Sequence, residues 1–202
     1  YLREWEFDAP SLSPQVAAPH SPDNSGPVED FIDVEIDQAY IGACVGAKLN
    51  DLHMVAEVLK GRKIAQGTRL LVAPSSAAVM AAAAADGTLA AISAAGAYLL
   101  PTGCGACAAL GAGVLAENEV CISSTNRNFK GRMGANSAQV YLASPYTVAA
   151  SALFPNPGVT QVVNTVTVNA KDQAGNNVGP VTDTAVTPPL VPAIAIDKTG
   201  PA

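Results

Sequence analysis

From residue 34 to residue 154 the apolar positions fall into short continuous runs that alternate with helix-spaced ones. Val34 to Ala43 alternates and then runs apolar, which predicts a strand. Leu49 to Lys60 carries Leu52, Val55, Ala56 and Leu59 at the spacing of one helix face, and Gly61 closes it. The plan repeats: Thr68 to Ala73 is a β-rich apolar run, and Ser75-Ser76 can cap a helix through the alanines Ala77 to Ala85. Thr88 to Ala95 predicts a short helix stopped at Gly96, and Ala97 to Leu100 a further strand. Glu119 to Ile122 reads as a buried strand containing Cys121. Gln139 to Ala143 reads as the last strand, before a helix begun by Pro145. Strand–helix alternation of this length predicts an α/β fold, a mostly parallel sheet with helices on its faces, with ligands gathered beyond the carboxyl ends of the strands.

The flanks read differently. Residues 1–33 are Pro-rich and aperiodic, an extended arm with little core of its own. Residues 34–154 are the α/β domain, and residues 155–202 a linker and β-rich tail. In the tail Val162 to Val168 and Val178 to Val186 alternate around a turn at Asp172 to Asn177. So short a β segment cannot bury both sheet faces. It is expected to be disordered, to pair with another chain or to lie along the first domain.

Composition narrows the class. Hydrophobic residues make up 49% and charged residues 14% of 202, and the net charge is −6, with no strong basic patch. Nucleic acid is therefore an unfavoured partner. The run Ala77 to Ala85 is too short to span a bilayer and is bounded by Pro74 and Asp86-Gly87. Tyr1 follows no initiator Met or signal pattern, so the chain reads as an excised piece. Four cysteines in such a chain do not suggest a disulfide framework.

The chemistry concentrates in three loops. Cys104 and Cys107 form a Cys-x-x-Cys pair in a Gly-rich loop after an apolar run, and Cys44 lies in a similar loop, Ile41-Gly-Ala-Cys44-Val-Gly. Three thiolates can converge on one metal centre and leave one coordination position free. A dithiol redox site or half of a zinc site fits the same pair, with His20 and His53 the only histidines. Arg127 and Arg132 follow in Asn126-Arg-Asn-Phe-Lys-Gly-Arg132. Guanidinium forks bind carboxylates through paired charge-assisted hydrogen bonds, and an acidic chain binding an acidic substrate must concentrate its positive charge locally. A solvated basic loop is the other outcome for these residues.

Five stretches in order, Ala17-Ala-Pro-His-Ser-Pro-Asp-Asn24, Ile36-Asp-Gln-Ala-Tyr-Ile-Gly-Ala-Cys44, Val58-Leu-Lys-Gly-Arg-Lys63, Gly103-Cys-Gly-Ala-Cys107 and Ser124-Thr-Asn-Arg-Asn-Phe-Lys-Gly-Arg132, closely resemble the aconitase superfamily over residues 1–154. The nearest likeness is the large subunit of 3-isopropylmalate dehydratase and homoaconitase. The resemblance implies a hydro-lyase of the cytoplasm that dehydrates and rehydrates a hydroxy di- or tricarboxylic acid. It implies a 4Fe–4S cluster on Cys44, Cys104 and Cys107, and substrate carboxylates on Arg127 and Arg132 beside Asn126. It also implies partners that this chain does not contain: the rest of the large subunit and a small swivelling subunit. Val45-Gly46 stand where the family usually has Thr-Asn, which leaves the hydroxy acid open, a dimethylmalate included. The tail, from Asn164-Thr-Val-Thr-Val to Asp197-Lys-Thr-Gly-Pro201, resembles half of a β-sandwich module of prokaryotic surface proteins. That resemblance implies a second role, a structural or cell-surface interaction protein whose tail makes the contacts.

Overall fold

The computed structural model describes residues 2–6, 12–153, 162–171 and 177–187. They fall into two separate units, the first ending before residue 157 and the second containing residues 162–187.

The first unit is built on a seven-stranded sheet. Its strands are β1 (Gln15–Ala17), β2 (Ser25–Pro27), β3 (Gln38–Ile41), β4 (Arg69–Val72), β5 (Tyr98–Leu99), β6 (Val120–Ser123) and β7 (Gln139–Leu142), in the order β2-β1-β7-β6-β3-β4-β5. From β7 to β5 every neighbouring pair is parallel; β1 joins β7, and β2 joins β1, in antiparallel pairing. The sheet is thus mostly parallel, as the alternation predicts. The parallel part starts at β3, steps one way to β4 and β5, then returns to the other side of β3 for β6 and β7. That reversal makes the β3/β6 boundary a switch point, where the chain leaves the two strands in divergent directions and opens a crevice.

Four helices follow the predicted positions: α1 (Leu49–Leu59), α2 (Ala77–Ala85), α3 (Thr88–Ala94) and α4 (Pro145–Ser151). Ser76 and Ser144 cap α2 and α4, each hydroxyl accepting a backbone N–H three residues on, and Pro145 sits at the first position of α4. The helices share one face of the sheet. Leu52, Val55 and Leu59 of α1, Ala83 of α2, Leu89 and Ile92 of α3 and Val148, Ala149 and Ala152 of α4 join Ala39, Ile41, Leu70, Val72 and Ile122 in a single core. Each fully buried large aliphatic side chain there contributes about 1.5–3 kcal/mol.

The opposite face carries Tyr40, Leu71, Cys121 and Val140, and loops cover it. Ala106, Cys107, Leu115, Met133 and Ala138 close this second core. β3, β4 and β6 are largely apolar runs because both of their faces are buried, and side chains at alternate positions serve different cores. At the amino ends of β3 and β4 a polar group closes the sheet. Arg69 donates to Glu119 at 2.7 Å and to Gln38, whose own amide donates to the Gly113 carbonyl at 2.9 Å.

Residues 12–33 depart from the expected arm. They supply β1, β2 and a 3₁₀ turn at Val28–Phe31, and bury Val16 and Val28 in the helix-side core. Strands of three residues are held mainly by backbone hydrogen bonds, so few side chains record them. In the second unit β8 (Val162–Lys171) and β9 (Asn177–Thr187) pair antiparallel from Val162↔Thr187 to Lys171↔Asn177, with an irregularity between Val168 and Ala170. The turn expected between them and the stretch beyond residue 187 lie outside the described residues. Among those described, no single helix is long and apolar enough to cross a membrane.

Candidate functional site

The parallel strands end together, and the predicted site residues leave from those ends. Cys44 lies three residues past β3, Asn126 and Arg127 just past β6, and Cys104 five residues past β5. All four cysteines are free: Cys44 and Cys104 are exposed, Cys107 and Cys121 buried.

The Cys44 loop is tied to the β6 end by one hydroxyl. Ser124 Oγ accepts the Gly42 N–H at 3.1 Å and donates to the Gly46 carbonyl at 2.9 Å. The approach is so close that a Cβ on Gly46 would stand 2.0 Å from the Ser124 carbonyl oxygen, which is why glycine is required there. Cys104 caps and Cys107 lies within a single 3₁₀ turn, Gly105–Ala108, and the Cys107 N–H donates to the Cys104 carbonyl at 2.9 Å. Between the two loops stands Tyr40, fully buried on β3, with its hydroxyl 3.4 Å from the Cys104 carbonyl. Burial, and then the neighbouring Cys107, pushes its phenol up to about 12, so at neutral pH the hydroxyl keeps its proton to donate.

The arginine loop is fixed from the other side. Asn128 is fully buried and donates through Nδ2 to the Ala18 carbonyl at 2.7 Å, holding the turn that bears His20 against this loop. His20 itself is exposed. Asn126 and Arg127 are exposed, whereas Arg132 is half-buried with Nη2 4.0 Å from Cys107 Sγ. Two buried polar atoms here have no hydrogen-bond partner, Arg132 Nε and Asn128 Oδ1.

The structure therefore brings Arg132 to Cys107, and Tyr40 to the Cys104–Cys107 turn. Cys121 lies apart in β6, fully buried; its thiol is pushed up to about 12 by burial, so it is inert at neutral pH. His53 belongs to the helical layer and pairs with Asp86 at 2.8 Å. Among the described residues, no three His, Cys, Asp or Glu side chains gather tightly enough to hold one metal ion. Tyr40, Ser124 and Asn128 were not singled out from the sequence. Only their places inside the quoted motifs hinted at them.

A family model described as the aconitase family (aconitate hydratase) matches residues 29–154, more than half of the chain. The chain belongs to the aconitase family. It is 45% identical over 170 residues to 3-isopropylmalate dehydratase large subunit 1 of Deinococcus radiodurans, covering 84% of this chain and 39% of that one. It is 48% identical over 153 residues to the homoaconitase large subunit of Thermus thermophilus, covering 76% and 37%. For the methanogen homoaconitase large subunit of Methanocaldococcus jannaschii the identity is 44%, again over 153 residues, covering 76% and 36%. The chain thus spans less than two fifths of the length of these aconitase-family relatives. The family match ends at residue 154, where the β-rich tail begins.

Proposed function

We propose that residues 34–154 are the cluster-bearing domain of a hydro-lyase that dehydrates and rehydrates a hydroxy di- or tricarboxylic acid, of the 3-isopropylmalate dehydratase and homoaconitase type. The reading is carried by free thiols at Cys44, Cys104 and Cys107 on loops that leave one end of a parallel sheet, beside an arginine loop whose Arg132 Nη2 lies 4.0 Å from Cys107 Sγ. The donor set fits an iron–sulfur cluster better than a single ion. A cubane distributes its thiolate ligands over separate iron atoms, so its cysteines need not converge on one point. Arg132 Nε, buried beside Cys107, is a donor with no acceptor among the described residues.

Cys44, Cys104 and Cys107 would hold the cluster. When bound, it would supply one iron without a cysteine ligand, a Lewis acid for the substrate's leaving hydroxyl. The chain's own residues do the rest of the binding. Arg127 and Arg132 offer guanidinium forks to substrate carboxylates, and Asn126 adds a neutral donor beside them. Ser124 fixes the spacing of the Cys44 loop from the arginine loop, because one hydroxyl bonds both sides of it. The names of the relatives further support a small-subunit partner and the remainder of a large subunit, as this chain covers 39% or less of those proteins.

Anaerobic reconstitution with iron and sulfide tests the reading. The expected outcome is a brown chain containing about four iron and four sulfide, whose visible spectrum changes on adding 3-isopropylmalate or a related hydroxy acid. A colourless chain with four free thiols after reconstitution would overturn it.

A further inference from the structure

Tyr40 is fully buried and meets both loops bearing the proposed ligands. On one side its ring lies over Gly42, two residues before Cys44. A Cβ added at Gly42 would stand 2.5 Å from the ring's Cε1, so only glycine allows the chain to turn there under the phenol. On the other side its hydroxyl meets the 3₁₀ turn of Cys104 and Cys107, 3.4 Å from the Cys104 carbonyl. Gly105, inside that turn, has φ 46°, a left-handed backbone that favours glycine. Around the phenol, Leu71, Ala106, Cys121 and Val140 belong to the same apolar second core.

We propose that Tyr40 is a positioning residue that locks the Cys104–Cys107 turn against the Cys44 loop, so that the three thiols are presented in one arrangement before iron and sulfide arrive. This rests on the cluster reading above. A phenol is suited to the task, because its rigid ring sets a fixed distance between β3 and the turn while its hydroxyl supplies the one directional bond. Phenylalanine would fill the same space and leave the turn free to swing.

The test compares the full chain with Tyr40→Phe, with Val148→Ala as a control for general destabilisation, since Val148 is buried in the helix-side core. In the metal-free chain, alkylation by iodoacetamide followed site by site should show Cys107 protected in the parent chain. It should be roughly three- to tenfold faster in Tyr40→Phe, the change in opening equilibrium expected from losing one net hydrogen bond. Cys121 should stay protected in all three. After reconstitution, Tyr40→Phe should lose iron to a chelator several-fold faster than the parent, and Val148→Ala should match the parent in both readouts. Equal Cys107 protection and equal iron loss in Tyr40→Phe and the parent would overturn the proposal. So would an effect of the same size in Val148→Ala. If the parent itself takes up no iron, the cluster reading is what fails, and the alkylation rates alone then decide whether Tyr40 locks the turn.

Discussion

Each cysteine of this chain has an assigned fate that its burial explains. Cys44 and Cys104 are exposed at loop tips, Cys107 is tucked beneath Arg132, and Cys121 is sealed in β6. Changing Cys44, Cys104 or Cys107 to Ser should therefore abolish cluster retention, read as iron per folded chain after reconstitution. Cys121→Ser should keep the iron and cost only stability, roughly 1–3 kcal/mol for a hydroxyl confined where a thiol packed. Equal iron loss from all four changes would refute the ligand assignment. Arg127→Lys and Arg132→Lys keep the charge but lose the fork. In the assembled enzyme each should raise the Michaelis constant for the hydroxy acid while the cluster absorbance stays intact. Unchanged constants in both would return these residues to the role of a solvated basic loop.

Elements meet in this fold through small polar devices, and two of them make separate predictions. Ser124 joins the β6 end to the Cys44 loop, so Ser124→Ala strands the buried Gly42 N–H and should cost about 1–3 kcal/mol in chemical denaturation. On the helical side, Asp86 joins the end of α2 to α3 and to α1. Hydrogen bonds from the Thr88 side chain, then the His53 ring and the Thr88 N–H, hold its carboxyl at about 2, below its ordinary value of 3.8. A depressed acid stabilises the fold above its unfolded value and loses that contribution as pH falls through the folded one. The melting temperature of the parent should then drop between about pH 4 and pH 2 more steeply than that of Asp86→Asn, and parallel curves would show the pairing to be silent. Glu119 works in the same sense at the sheet's amino end. Its burial opposes ionisation, but the Ala116 N–H and Arg69 outweigh it and keep the carboxyl below its usual value.

For the whole molecule, the question is where the reaction's proton chemistry is housed. Dehydration needs a base that removes a proton from carbon and an acid that helps the hydroxyl leave, each within hydrogen-bond reach. His53 is committed to Asp86 on the helical side, and His20 is exposed on a turn held against the arginine loop. The cysteine and arginine loops, residues 42–48, 100–113 and 124–134, contain no Asp, Glu or His. The reconstituted chain alone is therefore expected to bind substrate without turning it over. Adding 3-isopropylmalate and following absorbance of the unsaturated product checks this. Turnover on the order of 1 per second or faster, lost again in His20→Ala, would place the base on that turn.

The local sequence determined the elements and the chemistry they carry. Apolar runs, helix-spaced leucines and valines, serine caps and terminating glycines marked α1 to α4, β3 to β7 and the alternation of β8 and β9 to within a few residues, because those signals are set by neighbours along the chain. The site cysteines and arginines were legible as local spacings, Cys-x-x-Cys and Asn126-Arg-Asn-Phe-Lys-Gly-Arg132, since residue type alone does not separate them from Arg3, Arg62, Arg69 or Cys121. Three matters were decided only by the tertiary structure. Residues 12–33 became sheet edge because backbone groups paired with β7, and a backbone bond leaves no trace in side-chain pattern. All four helices went to one face, leaving the cysteine and arginine loops to cover the other, because strands buried on both sides read alike whatever covers them. Finally, Tyr40, Ser124 and Asn128 acquired their partners across 64, 82 and 110 residues, and contacts that distant exist only once the sheet has brought its strand ends together.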